Sequence, residues 1–198
     1  MNRPGGNLTG MTSLNVEIAP KQIELIHEVI SATTDIALLV NPANRLQAER
    51  TTRDTQLAAQ KLGLRLHVLN ASTPDDFDMV FATLDQLHAG ALVIGPDPLF
   101  TSGREQLGAL TVRHAVPAIC PYREFTQAGG LMSYGTDISS LFRQVGVYAS
   151  RILKGDKPGE LPVQRVTKLD LIINLKTAKT LGLTFPLTLR GRADEVIE

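Results

Sequence analysis

In the stretch "GALVIGPDPLFTSG" (Gly90–Gly103), Asp97 stands between two prolines directly after the apolar run Ala91–Ile94. Each proline removes a backbone donor and restricts φ, so the turn is stiff and the carboxylate has a fixed direction. A carboxylate so held accepts hydrogen bonds from hydroxyls or pairs with a cation. Asn41 ends the run "IALLVN", and Tyr122 ends "PAICPY", adding an amide and a stacking face with a polar tip. Rigid backbone with single polar or aromatic groups is how a small-molecule pocket is furnished. The same residues have a plainer use, with Asp97 capping a helix that starts near Phe100 and Asn41 closing an Asx-turn. Local pattern leaves both uses open.

Other residue types with chemical potential point to structural roles. Cys120 is the single cysteine, which excludes an internal disulfide and a multi-cysteine metal site. Its place at the end of "PAIC" suits a small core residue better than a nucleophile served by His114 or His88. His27, His67, His88 and His114 lie in separate elements without metal-ligand spacing. Asp75, Asp76 and Asp78 gather where a helix begins, and negative charge there offsets the helix dipole. "PGGNLTG" lacks the spacing of a dinucleotide or phosphate cradle, and its glycines are expected to let the backbone turn. No catalytic residue, cofactor or metal is expected.

The elements that must position Asp97, Asn41 and Tyr122 alternate along the chain. Strands are expected at Ile36–Asn41, Arg65–Asn70, Ala91–Gly95 and Pro117–Tyr122. Helices are expected near Pro20–Ser31, Asn44–Leu62, Pro74–Leu87 and Phe100–His114. This alternation is the signature of βαβ units and an open parallel sheet with helices on both faces. In such sheets ligands sit beyond the carboxyl ends of the strands, where these residues fall. After Tyr122 the pattern changes: "FTQAGG" reads as a flexible loop, "LMSYG" as a short strand, and Asp137–Lys154 as an amphipathic helix. Its apolar stripe is Ile138, Leu141, Phe142, Val145, Ala149, Ile152 and Leu153. "DKPGELP" reads as a linker, "TKLDLIINL" as a strand and "KTAKTLGL" as a closing helix.

Composition narrows the partners. Of 198 residues 43% are hydrophobic, enough for a packed core, and 20 basic residues balance 20 acidic ones. No overall field draws the chain to nucleic acid or an anionic membrane. The longest apolar runs are a few residues, short of the roughly 20 needed to cross a bilayer, and no leader pattern follows Met1.

Taken together, "RPGGNLTG", "GPDPLF", "YREFTQAGGLMSYG", "RILKGDKP" and "INLKTAKTLGL" resemble the ABC-transporter substrate-binding family that includes tryptophan- and tyrosine-binding members. The resemblance covers essentially the whole chain and implies a type I periplasmic binding protein, in which two α/β lobes close on a ligand. In the family "RPGGNLTG" lies near the middle, so the sequence looks like the C-terminal half. Residues 1–124 would form the C-terminal ligand-binding lobe with the first hinge crossing. Residues 125–160 would supply a hinge strand and the long helix of the other lobe, and 161–198 the returning hinge strand and closing helix.

The same resemblance implies a cleft lined by Thr12, Ser13, Asn41, Asp97, Tyr122 and Tyr134. Thr12 and Ser13 would bind a carboxylate, Asp97 an ammonium group, and Tyr122 an aromatic body. It implies capture of a small amino acid or an aromatic or carboxylic acid without bond chemistry, an ABC-transporter permease as partner, and a periplasmic or membrane-anchored extracytoplasmic location. The stripe on helix 137–154 would meet the other lobe or a second copy in a homodimer. Two other classes share the architecture: a paired-lobe racemase or isomerase, which needs facing acid–base or thiol partners, and a ligand-sensing regulatory domain of the LacI type.

Overall fold

Apolar runs become strands here because they are buried on both faces, and the polar helices between them cover those faces. The computed structural model describes residues 4–13 and 18–198; Arg3, the first residue of "RPGGNLTG", lies outside the described residues. In chain order the elements are β1 (Met11–Thr12), α1 (Ala19–Val29), β2 (Asp35–Val40), α2 (Arg45–Lys61), β3 (Arg65–Asn70), α3 (Phe77–Leu87), β4 (Ala91–Ile94), α4 (Pro98–Ser102) and α5 (Arg104–Arg113). There follow β5 (Ala118–Cys120), α6 (Arg123–Gln127), β6 (Met132–Thr136), α7 (Ile138–Leu153), β7 (Gln164–Arg165), β8 (Leu169–Asn174), α8 (Leu175–Thr180), α9 (Leu187–Arg190) and β9 (Glu195–Ile197).

The chain divides into two units. The smaller holds the described residues of Met1–Leu14 with Thr136–Leu169, and the larger holds those of Asn15–Gly135 with Asp170–Glu198. The boundaries expected at 124 and 160 do not coincide with these divisions. Nearly all of β6, read as a hinge strand, and nearly all of β8 belong to the larger unit.

In the larger unit seven strands lie in the order β3-β2-β4-β5-β6-β8-β9. β2 runs parallel to both β3 and β4, and β4, β5 and β6 continue parallel. The Asn174 N–H donates to the Leu131 carbonyl, which brings the end of β8 to the start of β6, so the sheet reverses there. β9 then pairs parallel to β8. Alternate residues of each central strand feed two cores. Ile36, Leu38, Val40, Ala91 and Val93 pack with α1 and the C-terminal segment, including Ala178, Phe185 and Leu189. Ala37, Leu39, Leu92 and Ile94 pack with Phe77 and Phe81 of α3, Phe100 of α4 and Phe125 of α6. Each such valine, leucine, isoleucine or phenylalanine, fully buried, stabilises by about 1.5–3 kcal/mol relative to exposure. The expected α/β class, with helices on both faces, is what the chain adopts.

Two expectations change. The helix expected over Phe100–His114 is two, α4 and α5, separated at Gly103, where a side chain would press within 2.5 Å of the Phe77 ring. "FTQAGG" is no flexible loop. It holds the end of α6 and a turn, with Phe125 and Thr126 buried and Gly130 so close to the Phe125 ring that any side chain would collide. Two further bonds tie it down: Asn174 Nδ2 donates to the Thr126 carbonyl and Thr177 Oγ1 to the Gly129 carbonyl.

In the smaller unit β1 pairs parallel to β7, and Gly5 and Gly6 turn the chain at φ 76° and 62°, the left-handed region glycine enters freely. Asp137 caps α7, accepting from the Ser139 N–H (2.9 Å) and the Ser140 hydroxyl (2.7 Å). Tyr148 is the one buried side chain of α7, and its hydroxyl donates to the Pro162 carbonyl at 2.8 Å. Much of the expected stripe is exposed: Phe142 at 66%, Val145 at 40% and Leu153 at 88%.

Candidate functional site

The strand order decides where a crevice opens. From β2 the chain moves first to β3 on one side and then to β4 on the other, so the winding reverses between β2 and β4. At such a switch point the loops leaving neighbouring strands diverge and expose a pocket at the carboxyl edge. Asn41 leaves β2 and Gly95-Pro96-Asp97 leaves β4, on either side of that gap.

Asp97 and Asn41 are hydrogen-bonded to each other. Asn41 Nδ2 donates to Asp97 Oδ1 at 3.0 Å, and the Leu99 N–H donates to the same oxygen at 2.9 Å. Asp97 therefore caps α4, and Asn41 closes an Asx-turn by accepting from the Ala43 N–H at 3.0 Å. Both plain uses hold, and one contact joins them across the switch point. The second oxygen is less engaged, with Asn44 Nδ2 reaching Asp97 Oδ2 at 3.4 Å while also donating to Gln47 Oε1 at 2.9 Å. Asp97 is only 5% exposed. Beside it lies a cavity of about 10 Å³, room for about one water-sized group, lined by Val40, Asn41, Asn44, Gln47, Thr51 and Asp97 with neighbouring backbone.

Asn44, Gln47 and Thr51 were absent from the sequence-based site. They occupy the start of α2 at spacings of three and four, one helical face, which is the signal that could have found them. The other expected residues distribute differently. Tyr122 begins α6 and packs against the core that holds Phe125, whereas Tyr134 packs against the opposite core and its carbonyl accepts from Gln22 Nε2 at 2.9 Å. The two tyrosines thus lie on opposite faces of the sheet. Thr12, exposed in β1, and Ser13 belong to the smaller unit.

Burial pushes the Cys120 thiol up to about 12, so it stays protonated at neutral pH. It is a core residue beside Phe125. His67 Nε2 meets Asp35 Oδ1 at 2.7 Å and His114 Nδ1 meets Asp85 Oδ2 at 2.7 Å. No group of three or more potential ligands able to hold a metal occurs among the described residues. Asp76 accepts from the Ser72 and Thr73 N–H groups at 2.8 Å each, and these bonds hold its carboxyl below the usual range. At the helix start Asp76 thus closes a capping box with Thr73, a contact more specific than the dipole role expected of the cluster.

An open, mostly parallel sheet covered on both faces, with polar groups gathered at its switch point, defines a type I periplasmic-binding-protein fold. The conserved domain protein from Vibrio cholerae O1 biovar El Tor superposes with a TM-score of 0.86 at 26% identity, over 98% of this chain and 64% of that one. The ABC domain in complex with L-Trp from Streptococcus pneumonia superposes at 0.85 with 24% identity, over 99% of this chain and 67% of that one. A tyrosine-binding protein of Clostridioides difficile strain R20291 is 22% identical over 184 residues. The chain spans about half the length of that curated relative and about two thirds of the solved ones. The family model for ABC transporter substrate binding protein matches residues 1–197, and the chain belongs to that family.

Proposed function

We propose that this chain is part of the solute-binding component of an ABC importer, working outside the cytoplasm and capturing a small amino acid or an aromatic or carboxylic acid. The observation that carries this reading is the Asn41–Asp97 hydrogen bond across the β2/β4 switch point, in a chain of this family. The ligand sits between two lobes, and closure around it stabilises the state that the permease reads. Thr12 and Ser13 bind its carboxylate, Asn41 and Asp97 its polar head, and Tyr122 borders its body. The larger unit is one lobe. The smaller unit, with α7, joins the other lobe, which covers the exposed stripe of Phe142, Val145 and Leu153; a homodimer through 137–154 is the alternative cover.

No bond is made or broken. Lining residues offer neither a thiolate nor a facing acid–base pair, which disfavours a racemase or isomerase. Among the described residues no helix is long and apolar enough to cross a membrane. Isothermal titration of the protein expressed from its full reading frame, with L-tyrosine, L-tryptophan and the other protein amino acids, tests the reading. One-to-one binding with no product by mass spectrometry is expected. Chemical conversion of any of them would overturn it.

A further inference from the structure

We infer that Arg123 and Glu195 are positioning residues for the ligand's aromatic body: their ion pair fixes the end of α6 that carries Tyr122, and so sets the preference for aromatic over aliphatic solutes. This rests on the solute-capture reading above, in which Tyr122 borders the ligand's body, and adds the groups that hold Tyr122 in place.

α6 cannot hold its own direction. It is five residues long, Arg123–Gln127, and a helix that short depends on what packs against it. Its far end is anchored from within. Phe125 is buried beneath Gly130, Asn174 Nδ2 donates to the Thr126 carbonyl at 3.2 Å, and Thr177 Oγ1 donates to the Gly129 carbonyl at 2.9 Å. The end beside Tyr122 has a different tie. Arg123 Nη2 donates to Glu195 Oε2 at 2.7 Å, joining α6 to β9 across 72 residues of sequence. β9 gives that tie a firm footing. The Leu171 N–H donates to Asp194 Oδ2 and the Asp194 N–H to the Leu171 carbonyl, both at 2.8 Å, and Glu195 is in register with Ile172 of β8.

The placement of the arginine supports this use. A cation in the first turn of a helix opposes the positive end of the dipole, so α6 itself does not favour Arg123 there, and Glu195 supplies the reason. Bulk stability is not that reason. With side chains 34% and 42% exposed, the pair is screened by solvent and adds little to folding. A short charge-assisted bond from a five-residue helix to a strand still limits rotation of α6 about its buried end. Tyr122 is the residue just before α6, half-buried against the core that holds Phe125. Aromatic rings attract one another over a narrow range of offsets and angles, so a small swing of Tyr122 costs a ring-bearing ligand more than an aliphatic one.

The test uses the full-reading-frame protein. Protein amino acids are screened by thermal shift, and the tightest aromatic and tightest aliphatic binders, for example L-tyrosine and L-leucine, are titrated calorimetrically for the ratio of their affinities. Tyr122→Leu is expected to lower that ratio about 10-fold. Glu195→Gln and Arg123→Gln should each lower it about 3-fold, with the aliphatic affinity moving far less and the urea midpoint close to the parent's. Should aliphatic binders be absent, the aromatic affinity is read against the urea midpoint instead. The swapped pair, Arg123→Glu with Glu195→Arg, should restore the parent value. A ratio untouched by both single variants, aromatic and aliphatic affinities that fall together, or a swap that restores nothing overturns the positioning role and leaves solute capture standing. A ratio insensitive to Tyr122→Leu, or binding of aliphatic amino acids alone, overturns the aromatic wall as well. Failure to bind any amino acid overturns the inference and the solute-capture reading together.

Discussion

The carboxyl edge of the large sheet and the outer stripe of α7 handle exposed chemistry in opposite ways. At the edge, Asn41, Asn44 and Asp97 bond to one another across segments more than 50 residues apart, and Asp97 is buried while the two amides are half-buried. On α7, Phe142, Val145 and Leu153 face outward, and the helix buries only Tyr148. The larger unit packs two cores, over which α1 and α3 leave only Met79 as a large exposed apolar side chain, while Leu46, Leu57 and Leu187 are exposed elsewhere in the unit. A stripe of that size on the smaller unit marks a surface made for contact. The two packed cores belong to the unit with the polar crevice, and the exposed stripe of α7 to the unit without it.

The contrast can be broken most forcefully in the core. Phe81→Ala, at 0% exposure, is expected to destabilise the protein by about 3–5 kcal/mol in urea denaturation. Phe142→Ser on α7 should stay within about 0.5 kcal/mol. Equal losses from the two would erase the distinction. Next comes Asp97→Ala, which removes a helix cap and strands two amides, for an expected cost of about 2–4 kcal/mol. A neutral result would mean that the Asn41–Asp97 tie does not hold the crevice together.

Smaller in stability but sharper for the stripe is the pair Phe142→Ser with Leu153→Lys. Sedimentation velocity of this 198-residue chain should show concentration-dependent association that the double variant abolishes. Persistent association would place the contact on another surface. The mildest effect concerns pH. Backbone bonds from Ser72 and Thr73 lower the Asp76 carboxyl in the folded state. Its contribution is therefore fully present above the unfolded value, close to 3.9, and is lost as pH falls through the lower folded value. Asp76→Asn should reduce stability at neutral pH and match the parent in strong acid. A constant difference at every pH would assign the loss to shape instead of charge.

Strand and helix positions were legible because each element carries its burial pattern in its own residues. Arg65–Asn70 was placed to the residue, and Ala91–Ile94 within one. "FTQAGG" was misread because two glycines and a glutamine look like a loop; its fixed shape comes from Phe125 packing under Gly130 and from bonds to Asn174 and Thr177, nearly 50 residues later. The break at Gly103 escaped notice for a similar reason, since it answers to the Phe77 ring. Asp97 and Asn41 were singled out correctly as strand-end residues, and their plain capping uses were foreseen as well. Their mutual bond was not, and neither were Asn44, Gln47 and Thr51, which sit on a helix too polar to announce a buried face.

The sequence by itself determined the α/β alternation, the stiff turn that aims Asp97, the amphipathic helix at 138–153 and, through its ordered motifs, the family. Such features are local, because period and turn chemistry are written in consecutive residues. Only the tertiary structure decided that β2 lies between β3 and β4, which opens the crevice beside Asn41 and sets Tyr122 and Tyr134 on opposite faces. Strand order depends on which distant surfaces pack best against each other, and no short window of residues encodes that choice.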